Sequence, residues 1–321
     1  MKRLTLKETA KRLLAAQNPV LTAHVHPDGD SLGSLLGLAE LLQTLGKQPQ
    51  IWLDDDVPPA YRFLPGWEKI QRLPENSVRL TGDLLVVLDA SDKGRIGRVG
   101  EYLEAPLLNI DHHVSNMEYA DELYLDVKAA ATGEIITQLA GELQCKLSAS
   151  AAAALYVAIA TDCGFFRYAN TTPQTLCMAA LLVEAGAKPA EISEALETRP
   201  YAEVVALREV LATLEVTAAG RVAYITVTPE VAARIDSTEG FINYPRTLDG
   251  VEVAVLFKFQ DDQHARVSLR SKGTDVSQVA LAFGGGGHTR AAGCSIEGDS
   301  PEDMRRKVLT EVKKMLGTDG M

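Results

Sequence analysis

Four short apolar runs constrain the fold most: Val20 to Val25, Gln50 to Leu53, Asp83 to Leu88 and Pro106 to Ile110. Each is too short for a buried helix and has the length of a strand covered on both faces. Helical patterns lie around them. Leu6 to Gln17 carries apolar residues at helical spacing until Pro19 stops it. Ser31 can cap a helix that reaches Leu45 and ends at Gly46. Thr132 to Leu143, Ala149 to Ala160 and Thr175 to Glu184 read as further helices. Strands alternating with helices predict an α/β fold, a parallel sheet with helices on both faces.

After Gly186 the pattern changes. Pro189 to Leu214 is helical and rich in glutamate. Arg221 to Val227, Val251 to Phe259 and Ala265 to Arg270 read as strands, the last two joined into a hairpin at Asp261–Asp262–Gln263. A helix over Asp275 to Phe283, the run Gly284 to Gly287, and a charged amphipathic helix over Pro301 to Leu316 follow. A chain of 321 residues has room for two domains. The expected layout is a catalytic domain over 1–186, a helical connector over 187–215 and a smaller α+β domain over 216–321, with a cleft between the domains.

Four motifs carry the chemistry. HVHPDGDSLGS (His24 to Ser34), LDASD (Leu88 to Asp92) and IDHHVSN (Ile110 to Asn116) each leave an expected strand. ATDCGFFRY (Ala160 to Tyr168) leaves the alanine-rich helix. In an open parallel sheet, ligands bind beyond the carboxyl ends of the strands, so three of these motifs converge on one edge. Taken singly, each has a plain structural use. Asp89 or Asp162 can cap a helix, and HVHPDGD can be a turn built on Pro27 and Gly29. Taken together, they gather carboxylates and imidazoles at a density that is costly unless cations neutralise it. Imidazole with carboxylate suits Mn²⁺, Fe²⁺, Zn²⁺ or Mg²⁺. Two such ions roughly 3.5–4 Å apart can activate a water and brace a phosphoryl group.

Composition limits the partners. With 43 acidic and 32 basic residues, the net charge of −11 argues against duplex or long nucleic acid. It leaves room for a local basic patch. Arg270, Ser271 and Lys272 precede Gly285, Gly286, Gly287 and His288, and successive glycines let backbone amides approach an anion closely. The same glycines would also serve as a helix-to-helix turn. The four cysteines form no CxxC pair, which points to a reducing compartment rather than a zinc site. No apolar signal core opens the chain, and Ala149 to Ala160 is too short to span a bilayer. The expectation is a cytoplasmic protein without a membrane partner.

The ordered motifs HVHPDGDSLGS, LDASD, IDHH and TDCGFF resemble those of the DHH phosphoesterases. RSKG (Arg270 to Gly273) and DVSQVALAFGGGGHTRAAG (Asp275 to Gly293) resemble the DHH-associated substrate-binding domain. Length and layout are similar to the family's bifunctional oligoribonucleases with pAp phosphatase activity. The resemblance implies two Mn²⁺ ions, one on His24 and Asp28, the other on Asp30, His112 and Asp162, with Asp89 bridging. It implies that His113 contacts the scissile phosphate or assists the leaving group, and that Asp111 orients the histidine pair. It implies substrate contacts from Arg270, Ser271, Lys272, Gly285, Gly286, Gly287 and His288. Cys163 stands where the family has a small polar residue, and His26 receives no metal.

The implied activity is hydrolysis of very short single-stranded RNA to 5′-mononucleotides, together with conversion of pAp to AMP, in a homodimer. Cyclic di-AMP and linear pApA are alternative substrates. A nucleotide-binding module without catalysis is a third reading, and the intact acids at every motif position count against it.

Overall fold

A computed structural model describes residues 1–318 except 76–78 and 236, and only the backbone of His288. The chain divides into two units, Met1–Thr198 and Arg199–Met321. The division falls within the stretch read as a connector.

The first unit runs β1 (Lys2–Arg3), α1 (Leu6–Ala15), β2 (Pro19–Thr22), α2 (Gly29–Thr44), β3 (Gln50–Leu53), β4 (Ile70–Arg72), β5 (Leu84–Leu88), α3 (Val99–Tyr102), β6 (Leu107–Asp111), β7 (Glu122–Leu125), α4 (Thr132–Glu142), α5 (Ala149–Asp162), α6 (Pro173–Glu184) and α7 (Pro189–Glu197). Its seven-stranded sheet has the order β1-β7-β6-β5-β2-β3-β4, and its paired strands are parallel. The expected parallel α/β architecture is therefore present. Alternate residues of the central strands enter two cores. Leu21, Val86, Leu88, Leu108 and Ile110 pack with α1, α2, α4 and α5. Val20, Leu85 and Val87 face the other way, toward Ile96, Val99 and Leu103. That second face is covered by short segments, so the long helices all lie on one side.

Three local features position the edge where the motifs meet. The chain leaves β2 for β3 and β4 on one side, then returns to β5 on the other. The strand order thus reverses between β2 and β5, the place in an open parallel sheet where ligands bind beyond the carboxyl ends. Helix α2 begins earlier than expected. Asp28, not Ser31, is its N-cap, and Ser31 closes the capping box from the third helical position. A carboxylate accepts amide hydrogens at a helix start better than a hydroxyl placed one turn inside it can. Third, α2 lies against α5 through small residues. Gly29 faces Thr161, Gly33 faces Ala154 and Ala158, and Gly37 faces Leu155. The spacing of four keeps these glycines on one face of α2 and lets the backbones approach closely.

The second unit runs α8 (Tyr201–Leu211), β8 (Glu215–Thr217), β9 (Val222–Val227), α9 (Pro229–Ala232), α10 (Asn243–Thr247), β10 (Val253–Phe259), β11 (His264–Ser271), α11 (Ser277–Ala282), β12 (Gly286–His288), β13 (Ala291–Glu297) and α12 (Pro301–Met315). Its six-stranded sheet has the order β12-β13-β11-β10-β9-β8. The β10–β11 hairpin matches the sequence expectation. The glycine run does not form a free loop. Gly286 to His288 pairs antiparallel with β13. A Cβ on Gly285 would stand 2.7 Å from Cys294 Cα, and one on Gly287 2.7 Å from Ala292 Cα. Period-two apolar patterning is absent there, because glycine is selected by the closeness of the neighbouring strand.

Candidate metal centre

The edge of the sheet at this reversal brings together the residues that the motifs singled out. His24 lies beyond β2, Asp89 follows β5, and Asp111 ends β6 just before His112 and His113. Helix α2 contributes Asp28 and Asp30 at its start, and α5 contributes Asp162 at its end. Because α2 and α5 are locked through their glycine and alanine faces, Asp30 and Asp162 are held beside each other.

The donor atoms form two sets that share one carboxylate. His24 Nε2 lies 3.6 Å from Asp28 Oδ2 and 3.3 Å from Asp89 Oδ2. His112 Nε2 lies 3.7 Å from Asp30 Oδ2, 3.7 Å from Asp162 Oδ2 and 3.5 Å from Asp89 Oδ1. Such separations suit atoms that share one ion about 2.1 Å from each. Asp89 turns one oxygen to each set. Its backbone is left-handed, with φ 57°, a conformation that aspartate tolerates better than most residues.

The tautomers favour ligation. His24 Nδ1 donates to the Val25 carbonyl at 2.8 Å, and His112 Nδ1 to that of Ala129 at 3.2 Å. Each Nε2 then offers a lone pair to the site. Imidazole and carboxylate in this arrangement fit divalent ions, which would neutralise the charge excess of the site.

Asp111 organises the histidine pair from behind. Its Oδ1 accepts the backbone amides of His112 (2.8 Å) and His113 (3.2 Å) and the ring Nδ1–H of His113 (2.7 Å). Asn116, not assigned a role from sequence, donates to Asp111 Oδ2 at 2.6 Å and to Asn109 Oδ1 at 2.8 Å. His26 stays out of both sets, its backbone amide donating to Asp55 Oδ2 at 2.6 Å. Cys163 is buried in the turn after α5, where its sulfur accepts the Phe166 amide at 3.2 Å.

Two further residues were invisible as site residues in sequence. Helix α4 has no side-chain cap of its own. Asp30 takes that place from a distant part of the chain, accepting the amides of Thr132 (2.7 Å) and Gly133 (2.9 Å). Thr132 Oγ1 donates to Asp89 Oδ1 at 3.2 Å. Only the fold joins these positions.

Without ions, protons carry the compensating charge. Burial opposes protonation of His24, but Asp28 and Asp89 raise its pKa well above the usual imidazole range. Burial likewise opposes protonation of His112, but Asp89, Asp162 and Asp30 raise it well above that range. Burial, followed by the Asp89 charge, pushes Asp30 well above the carboxylate range. Burial also pushes Asp162 up to about 6, with Asp89 and Asp28 adding to it and His112 only partly offsetting it.

All four folded values are raised. Each group therefore stabilises the ion-free protein fully below its unfolded value, about 6.5 for histidine and 3.9 for aspartate. That stabilisation is lost as pH rises through the folded value. Asp89 behaves oppositely. Burial raises its pKa, but His112 and His24 hold it well below the usual range, so its contribution fades only in strong acid. The ion-free protein should lose stability as pH rises from about 4, first through Asp162 and Asp30 and then, above about 6.5, through the histidines, while ions, which need deprotonated ligands, bind more tightly there. Thermal midpoints with chelator and with Mn²⁺ should diverge progressively as pH rises above about 6. A constant gap would contradict this account.

In the second unit, Arg270 Nη1 donates to the Leu269 carbonyl at 3.0 Å. The Ser271 hydroxyl is buried and donates to the Thr274 carbonyl at 2.5 Å. Lys272 Nζ donates to the Leu248 carbonyl at 2.7 Å. Gly285 to Gly287 lie against β13 as described, and the side chain of His288 lies outside the described residues. Among the described residues, no helix is long and apolar enough to cross a membrane.

Comparison with known proteins agrees with this layout. The family model "DHH family, N-terminal domain" matches residues 19–159, and that of the DHHA1 domain matches residues 220–318. A Thermus thermophilus protein named bifunctional oligoribonuclease and PAP phosphatase NrnA is 34% identical over 322 residues, covering 98% of this chain and 95% of that one. A Bacillus subtilis protein of the same name is 29% identical, covering 86% of this chain and 88% of its own. The crystal structure of an exopolyphosphatase-related protein from Bacteroides fragilis has a TM-score of 0.88 at 23% identity, covers 97% of both chains, and shares the fold. With a two-unit match in order and a relative at this identity over nearly its whole length, the chain belongs to the DHH family, its second unit being a DHHA1 domain.

Proposed function

We propose that this protein is a two-ion phosphohydrolase. It releases 5′-mononucleotides from very short single-stranded RNA and removes the 3′-phosphate of pAp to leave AMP. The observation that carries this reading is the Asp89 carboxylate, which turns Oδ2 to the His24–Asp28 set and Oδ1 to the Asp30–His112–Asp162 set. The names of the relatives in Thermus thermophilus and Bacillus subtilis support the substrate class.

His24 and Asp28 would hold one ion; Asp30, His112 and Asp162 would hold the other; Asp89 would bind both. Mn²⁺ is the ion we favour, as the resemblance to the DHH phosphoesterases implies; the mixed imidazole and carboxylate donors suit Fe²⁺, Zn²⁺ and Mg²⁺ as well. Bound ions lower the pKa of a water and neutralise charge on the phosphoryl oxygens. The remaining work falls to the chain. Asp111 fixes the His113 ring by accepting the hydrogen bond from its Nδ1–H, which leaves Nε2 for the scissile phosphate or the leaving oxygen. Arg270, Ser271, Lys272, Gly285, Gly286, Gly287 and His288 are the proposed contacts to the rest of the nucleotide. The net charge of −11 disfavours long polynucleotides.

The test compares initial rates on a labelled RNA trimer, pAp, pApA and cyclic di-AMP with Mn²⁺ present. Trimer and pAp should be cleaved, releasing 5′-mononucleotide and inorganic phosphate respectively. Hydrolysis confined to cyclic di-AMP or pApA would replace the substrate assignment. Folded, ion-loaded protein inert on all four would remove the enzyme reading.

A further inference from the structure

Asp89 must keep its carboxylate plane fixed if each oxygen is to serve a different ion. The bond that sets this plane is intrinsically loose, because carboxylate χ2 is a broad two-fold torsion. The backbone is held by the Asp89 amide, which donates to the Ile110 carbonyl at 3.1 Å, but that bond does not fix the χ2 torsion. Something must clamp the carboxylate.

The histidines around it are poor clamps in their ligand-ready forms. In the neutral form that binds an ion, His24 and His112 carry their one ring proton on Nδ1, against the carbonyls of Val25 and Ala129, so that Nε2 serves the ion and not Asp89. The His113 Nδ1 proton goes to Asp111 at 2.7 Å, whereas Asp89 Oδ1 is 3.5 Å away. Among the described residues, the side-chain hydroxyl that donates to Asp89 is that of Thr132, at 3.2 Å. Thr132 is fully buried. Its backbone amide, on the same residue, donates to Asp30 Oδ2 at 2.7 Å. One residue at the start of α4 therefore grips a carboxylate from β5 and another from α2.

We propose that Thr132 is a positioning residue that aims Asp89 Oδ1 at the Asp30–His112–Asp162 set, so that its hydroxyl governs the affinity of that ion and not of its neighbour. A carboxylate oxygen can accept one hydroxyl hydrogen and still offer a lone pair to an ion. Oδ2, which faces His24, receives nothing from Thr132. The effect is therefore directional. Partners of this outer kind typically change metal affinity 10–100-fold.

The inference rests on the two-ion reading of the centre but not on any substrate. The test is Mn²⁺ titration of the chelator-stripped full chain, followed by calorimetry and by the electron paramagnetic resonance of free Mn²⁺. Thr132→Val replaces the hydroxyl by a methyl group while keeping the branched shape. One of the two binding steps should weaken about 10–100-fold, and the other should stay within about threefold. Thr132→Ser restores a hydroxyl and should return both steps to wild-type values. If Thr132→Val fails to fold, Thr132→Ala read against Thr132→Ser makes the same comparison. Wild-type affinity for both ions in the valine and alanine variants overturns the proposal. So does equal weakening of both steps, or a serine variant as weak as valine. Wild-type protein that takes up fewer than two ions overturns the two-ion reading instead, so the two failures are distinguishable.

Discussion

Asp89→Asn should abolish hydrolysis, lowering kcat/KM by at least about a thousandfold, beyond the 10–100-fold expected for an outer partner. The amide keeps the size and shape of the carboxylate, but it has one acceptor oxygen where the site needs two. Its NH₂ group cannot ligate, so whichever set it faces loses a donor, and both sets lose the shared negative charge. Bound metal per chain should fall in parallel. Fold is a separate matter, since Asp89 lies beyond β5 and its backbone amide donates to the Ile110 carbonyl at 3.1 Å whatever the side chain. Circular dichroism should therefore remain native. A folded Asp89→Asn protein that binds two ions and turns over at more than about a tenth of the wild-type rate would remove Asp89 from the centre.

Gly33→Val should have the largest effect on stability. A Cβ on Gly33 would drive into the Ala154 carbonyl oxygen and stand 2.9 Å from Ala158 Cβ. These are the backbone and innermost carbon of a packed helix, not the far end of a flexible side chain, and close-packed interiors do not yield there. Helices α2 and α5 must separate, at a cost of about 3 kcal/mol or more. Separation also pulls Asp30 from Asp162, so Mn²⁺ affinity should fall with stability. Gly141→Ala is the contrast. Gly141 lies in α4 with nothing within 4 Å of a new Cβ, and alanine should stabilise by about 0.5–1 kcal/mol. Urea unfolding of the three proteins decides the matter. Equal midpoints for Gly33→Val and wild type would mean that the close approach of the helices is not what holds them.

Much of this was legible because it is local. The runs at Gln50 to Leu53 and Asp83 to Leu88 became β3 and β5 nearly to the residue, since a short apolar segment in a parallel sheet needs no partner to be recognised. Strands β1, β4 and β7 were missed. They lie at or next to the sheet edges and carry exposed or half-buried residues, so no apolar run marks them. Strand β13, AAGCSIE, was hidden by its small residues. Asp28 was expected at the metal but not as the cap of α2; its two oxygens do both, Oδ1 toward Ser31 and Oδ2 toward His24.

The kind of chemistry was readable from residue types alone, because ligand type is a property of the residue. Several aspartates and histidines gathered at strand ends point to divalent ions, although each one singly could serve as a cap or a turn. Short apolar runs and helical spacing likewise marked the alternation of strands and helices, but not that the long helices gather on one face of the sheet. What the fold alone supplies is which of these side chains lie within reach of one another. The split of Asp89 between two sets, the capping of α4 by Asp30, and the grip of Thr132 on Asp89 join residues from 23 to 103 positions apart. No local pattern encodes such pairs. They arise because strand order and the glycine-lined contact of α2 with α5 bring the ends of separate elements within hydrogen-bonding distance.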